Sequence, residues 1–214
     1  MPKAAKLGRV QTDSSPFRWL RVFEKVKGKK NQQTQGKVGM KPLIALSLSV
    51  GILAGVATWL SLTTGLLVWA VFLAWASFYH CGGDWNALKN SIVNNIFGCV
   101  LGWVAALLIA TIPVPSLIPR AAIVVALTVI VLVLAANVKA LSAIPSGFYG
   151  YAATFAFLLM TKDALTVSAM TKANMQNGLV AVAVAMLVGN LFGIVSAKLS
   201  AALQPSPKAT PKHA

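Results

Sequence analysis

Few side chains in this chain are of a type and placement to do chemistry, and the two best placed are asparagines. Asn95-Ile96-Phe97-Gly98 and Asn190-Leu191-Phe192-Gly193 are nearly the same four-residue word, each inside a long apolar run. An unpaired amide in hydrocarbon is costly. Its two uses are to offer donors and acceptors to a polar solute midway through a bundle, or to hydrogen-bond the other asparagine across it. A second group is aromatic. Trp69, Phe72, Trp75 and Tyr79 recur at steps of three to four, one face of a helix, with Tyr151, Phe155 and Phe157 as a looser counterpart. Such a stripe lines a narrow path or packs against small residues. The candidate solute path is therefore Asn95, Asn190, Trp69, Phe72, Trp75, Tyr151 and Phe155. A third group is His80-Cys81-Gly82-Gly83-Asp84-Trp85, a polar break between apolar runs. His80 and Asp84 form a candidate gate; the other use of Asp84 is to cap the helix that opens at Trp85.

Several chemistries lack their residues. His80, Cys81 and Asp84 are too close in sequence to converge easily on one ion, and the two cysteines, Cys81 and Cys99, have no ligand spacing, so no metal and no cofactor is expected. No hydrolase triad, Walker loop, HExxH or dinucleotide fingerprint is present, which argues against an enzyme. No Asp, Glu, Lys or Arg falls firmly inside a predicted span. Ion-coupled carriers usually hold such a group, so the expectation shifts to passive passage of a small polar solute, or to no transport.

The elements that must position these residues are membrane helices. Of 214 residues, 57% are hydrophobic and 11% charged, with mean hydropathy +0.73; a soluble domain carries about 25% charged residues. The net charge of +15 does not imply nucleic acid, because eleven of nineteen Lys/Arg lie between Lys3 and Lys41, outside the apolar body. That basic tail, residues 1–40, reads as mostly disordered and cytoplasmic, with Phe17–Phe23 as a short amphipathic stretch able to touch anionic lipid. It is no signal peptide. Apolar runs then follow at 43–62, 66–79, 92–112, after Pro119-Arg120 to 138, 141–160 with a break at Pro145-Ser146-Gly147, and 178–203. The predicted fold is an all-α integral membrane protein with six transmembrane helices. Residues 41–113 and 114–203 are two three-helix halves, and 204–214 a Pro/Lys-rich cytoplasmic tail.

An odd number of spans per half inverts one half against the other. Two matches suggest the duplication: the asparagine words, 95 residues apart, and an aromatic–alanine frame, Trp69-Ala70…Ala74-Trp75 against Tyr151-Ala152…Ala156-Phe157, 82 residues apart. Chance matching among Ala, Phe and Gly is the plain alternative. Gly51-x-x-x-Gly55, Gly98-x-x-x-Gly102 and Gly189-x-x-x-Gly193 are expected helix-packing ridges. With the N-terminus inside, Lys/Arg divide sixteen to three between the two sides, which places both termini in the cytoplasm.

The stretch from Trp69 to Trp103 resembles the YcdZ-like family of small bacterial inner-membrane proteins, catalogued as of unknown function. The likeness is carried by Trp69-Ala70-x-Phe72-x-Ala74-Trp75, Gly82-Gly83 and the Asn95-to-Gly102 segment, and covers roughly residues 43–203. It implies a multi-pass protein of the bacterial inner membrane and supplies no substrate or catalytic residue. The expected function is a channel or facilitator for a small polar solute, with room for a homo-oligomer. The rival is a non-transporting scaffold, assembly or regulatory protein whose basic tail docks a partner or lipid.

Overall fold

The structure, a computed structural model, describes residues 40–113 and 115–204. Among them the chain is helical and has no strand: α1 (Pro42–Thr64), α2 (Val68–His80), α3 (Trp85–Thr111), α4 (Leu117–Leu134), α5 (Ile144–Met160), the single turn α6 (Val167–Met170) and α7 (Gly178–Ala202). Four of these, α1, α3, α4 with the 3-10 turn that follows it, and α7, are long and apolar enough to cross a membrane. The helices α2 and α5 have 13 and 17 residues. The expected disorder of the basic tail and the character of the C-terminal tail lie outside the described residues.

Local chemistry sets the boundaries, and two differ from the sequence expectation. The apolar run from 92 is the later part of a helix that opens at Trp85, where the Asp84 carboxylate accepts the Ala87 N–H at 2.7 Å and caps the first turn. Pro145 does not interrupt the fifth helix but sits in the first turn of α5, where a missing N–H costs nothing. Leu141 belongs to a 3-10 turn before it. Likewise Pro119-Arg120 lies inside the first turn of α4. Gly82 and Gly83, at φ 119° and 76°, let α2 stop and the chain reverse into α3.

The bundle is built around α3 and α7, whose buried faces are the most extensive. They cross antiparallel, Asn95 opposite Asn190 and Cys99 opposite Met186. Each pairs with one shorter helix, α3 with α5 and α7 with α2, and each carries one outer helix, α4 on α3 and α1 on α7. Glycines set the close approach. A Cβ on Gly98 would run into the Gly147 carbonyl oxygen, one on Gly150 into that of Asn95, and one on Gly189 into that of Val71. Gly102 faces the Tyr151 carbonyl and Gly193 the Phe78 ring. Four of the expected ridge glycines, Gly98, Gly102, Gly189 and Gly193, therefore pack as expected. Gly51 and Gly55 do not: both have open space where a Cβ would be. The packed stripe of α1 is Ala45, Ser49, Ala57 and Ser61, spaced by multiples of four, which turns the glycines outward.

The aromatic frame does not survive packing either. Ala70 is fully buried while its supposed counterpart Ala152 is exposed. Gly98 lies against Gly147 and Tyr151 of α5, so an offset of 82 would set Trp69 against Gly193; Phe78 stands there, nine residues on. The frame matched residue types without matching the faces they occupy.

Candidate functional site

Where α2, α3, α5 and α7 meet, five polar side chains are wholly buried: Ser77, Ser91, Asn95, Ser146 and Asn190. The Asn190 amide donates to Asn95 Oδ1 at 3.0 Å and to the Met186 carbonyl at 2.9 Å. The Asn95 amide donates to Ser77 Oγ at 3.1 Å and to the Ser146 carbonyl at 3.0 Å. Ser77 donates in turn to Ser146 Oγ at 2.8 Å, and Cys81 Sγ lies 3.2 Å from the same hydroxyl. The single hydroxyl hydrogen of Ser91 has two acceptors in reach, Ser77 Oγ at 2.7 Å and Asn95 Oδ1 at 3.1 Å. Each bond joins neighbouring helices or braces one turn. The cluster is also built by the glycines, since only Gly150 lets the Asn95 backbone come so close.

The arrangement is one-sided. Cys81 caps the end of α2 and is partly exposed, and Ser146 sits in the first turn of α5 at the same end of the bundle. Asn95 lies ten residues into α3, about 15 Å at 1.5 Å per residue. From that end a polar ladder therefore reaches the middle of the bundle. Beyond it the interior is sulfur-rich and its buried hydroxyl, Thr154, is spent on the Gly150 carbonyl of its own helix at 3.0 Å; Cys99 contacts Met186 at 3.7 Å, and Met170 on the turn α6 is fully buried with its carbonyl held by Trp103 Nε1 at 3.0 Å. One group of the ladder is unmet, Asn190 Oδ1.

The two asparagines are thus brought together, as their shared word suggested, but the aromatic candidates are not brought to them. Phe72, Trp75 and Tyr79, with Leu46, Ser47 and Val50, line an apolar groove of about 400 Å³ between α1 and α2. Its floor is fixed: Trp75 Nε1 donates to Ser196 Oγ at 3.0 Å, Tyr79 shares that hydroxyl at 2.7 Å, and Trp75 stacks between Phe72 and Phe192. Trp69 is half-buried against the core. Tyr151 and Phe155 turn toward α4, where Tyr151 meets Thr128 at 2.9 Å. Phe72, Tyr79, Tyr151 and Phe155 thus serve the outer helices, while at the asparagines the glycine contacts bring the helix backbones together. Of the candidate gate, Asp84 is used as the cap, and exposed His80 sets its ring edge-on to Tyr149 with centroids 6.3 Å apart. Sequence reasoning missed the serines. The signal was present in Ser91-x-x-x-Asn95, one helical turn apart, and in Ser77 within an otherwise apolar helix. Among the described residues no three His, Cys, Asp or Glu side chains come together as a metal site would require.

Comparison with known proteins finds a matching family and inner-membrane relatives. Residues 47–201 match the family described as Protein of unknown function (DUF1097). The inner membrane protein YcdZ of Escherichia coli (strain K12) is 28% identical over 118 residues, 55% of this chain and 71% of the relative. The protein of the same name from Salmonella typhimurium (strain LT2) is likewise 28% identical over 118 residues, covering 72% of its length. No solved structure matches. The likeness to YcdZ-like proteins carried by the Trp69–Trp103 segment is borne out, and the chain is a helical membrane protein that belongs to the DUF1097 family.

Proposed function

We propose that this protein is a facilitator for a small polar solute in the bacterial inner membrane, held here in a closed state. The observation that carries it is the polar ladder, which runs from one end of the bundle to its middle and stops at an unmet acceptor. Polar groups used only as glue between helices are satisfied by one another; a ladder that begins at a partly exposed helix end and ends unsatisfied at mid-depth is also a route. Two inverted three-helix halves are supported by the way α3–α5 and α4 reproduce the partnerships of α7–α2 and α1, with the asparagines facing each other between them. On this basis all six helices span, the two short ones within the centre of the bundle, and both termini are cytoplasmic by the charge bias. The proposed partners are lipid and solute, without enzymatic chemistry.

A second reading, the non-transporting scaffold, draws support from the backbone-to-backbone closeness at Gly98, Gly150 and Gly189 and from the exposed apolar groove beside α1. Proteoliposome uptake separates the two. As a facilitator, the wild type passes one or more of a panel of small amides, amines and polyols faster than protein-free vesicles, and folded Asn95→Leu does not. Equal rates with and without protein for every solute would leave the scaffold.

A further inference from the structure

Every amide hydrogen in the buried ladder is already committed, so the amides can accept hydrogen bonds but have none to give. The Asn95 and Asn190 amides each spend both hydrogens on acceptors. Turning the Asn190 amide over would set its oxygen against Asn95 Oδ1 and the Met186 carbonyl, so its orientation is determined by its neighbours. Asn190 Oδ1 is left fully buried without a partner. The sequence supplies the cause. Asn95 has Ser91 four residues before it, within reach of its oxygen at 3.1 Å. The same 95-residue offset that relates the two asparagines puts Met186 where Ser91 would be, and a thioether donates nothing. The second half thus lacks the donor that the first half has. The chain of bonds also has a direction: protons point from Asn190 to Asn95, to Ser77, to Ser146, leaving the head of the chain open to a donor. Bonds in such a chain polarise one another, which raises the cost of an open head and the gain from filling it.

Resting on the facilitator function above, we propose that Asn190 Oδ1 is the atom that binds solute, and that the solutes are small uncharged hydrogen-bond donors such as amides, ureas and polyols. A carboxylate would meet only acceptors. A cation would find no counter-charge at this depth, because the acids of the described residues, Asp84 and Asp163, lie in the connections between helices. A polar but acceptor-only molecule would leave the oxygen unmet.

The test fills the site from within. Met186→Thr places a hydroxyl four residues before Asn190, as Ser91 stands before Asn95, whereas Met186→Leu keeps the bulk and adds no donor. Flux into proteoliposomes is read by stopped-flow light scattering with urea and acetamide as donors, trimethylamine N-oxide as an acceptor-only solute, and acetate as an anion. In wild type and Met186→Leu, urea and acetamide should cross faster than through protein-free vesicles, while trimethylamine N-oxide and acetate do not. Met186→Thr should lose about tenfold of the donor flux, the order that one hydrogen bond supplies. Trimethylamine N-oxide keeping pace with urea, or unchanged urea flux in a folded Met186→Thr, overturns the inference and leaves the facilitator standing. If no solute crosses in wild type, the facilitator function falls instead, and the Asn190 side-chain carbonyl signal in solid-state NMR decides the site without any variant. A shift with acetamide and none with trimethylamine N-oxide upholds the binding atom; no shift with either overturns it.

Discussion

Asn95 and Asn190 carry the same amide in the same local word, yet they are not equivalent. Asn95 is bonded on both its nitrogen and its oxygen, reaching helices α2, α5 and α7, whereas Asn190 donates twice and accepts nothing. Asn95→Leu strips partners from Ser77, the Ser146 carbonyl and the Asn190 amide; Asn190→Leu leaves Asn95 Oδ1 with Ser91 still in reach. Each interhelical bond of this kind is worth about 0.6–2 kcal/mol in a membrane. Thermal unfolding in detergent should therefore show Asn95→Leu as the more destabilising by at least one such bond, with the double variant costing less than the sum. Strictly additive losses would mean that the two amides do not touch. A second residue-level expectation concerns Ser196, whose hydroxyl serves both Trp75 and Tyr79. Ser196→Ala leaves two donors short of a partner and should cost about 1–3 kcal/mol. Unchanged stability would show that water replaces the lost hydroxyl.

At the scale of helices, glycine contacts decide how closely the elements approach. Gly98, Gly150 and Gly189 each face a neighbouring backbone too closely for a methyl group, whereas Gly51 and Gly55 face open space. Overpacking in a tight core costs about 1–3 kcal/mol, so Gly98→Ala, Gly150→Ala and Gly189→Ala should each lower the unfolding temperature. Gly51→Ala and Gly55→Ala should leave it unchanged or raise it, since alanine favours a helix interior by about 1 kcal/mol over glycine. A loss at Gly51 comparable to that at Gly98 would place a partner on the outer face of α1. All five glycines look alike in sequence, and Gly150 belongs to none of the three Gly-x-x-x-Gly ridges. Whether a small residue sits at a contact depends on which side of its helix meets a neighbour, and in α1 the alanine–serine stripe took that side. Asp84 shows the opposite case. A cap acts within one turn, so the residue pattern was enough to expect it.

For the whole molecule, the charge division makes a testable statement about topology. Reporter fusions after Gly36, Lys172 and Lys208 should read inside, outside and inside, as the sixteen-to-three Lys/Arg division requires. Opposite readings at Gly36 and Lys208 would mean an odd number of spans and would remove the basis for inverted halves. The helix packing adds its own constraint. Because α3 runs parallel to α5 and antiparallel to α7, α3 and α5 must cross in the same direction and α7 in the opposite one, as six alternating spans require.

The sequence alone determined the membrane class, the helices and the family, because each depends on local quantities: how apolar a stretch is, where proline and glycine fall, and which short words recur. It also marked the two asparagines, since a polar side chain in hydrocarbon stands out wherever it occurs. Only the tertiary structure decided what those asparagines touch, that the serines join them, that the aromatic stripe faces the outer groove instead of the centre, and that Gly51 and Gly55 pack against nothing. These are facts about which faces meet, and helices of nearly uniform hydrophobicity carry little information about facing. In water a helix shows its buried side by contrast with its polar one; in a bilayer both sides are apolar, so close packing makes the choice.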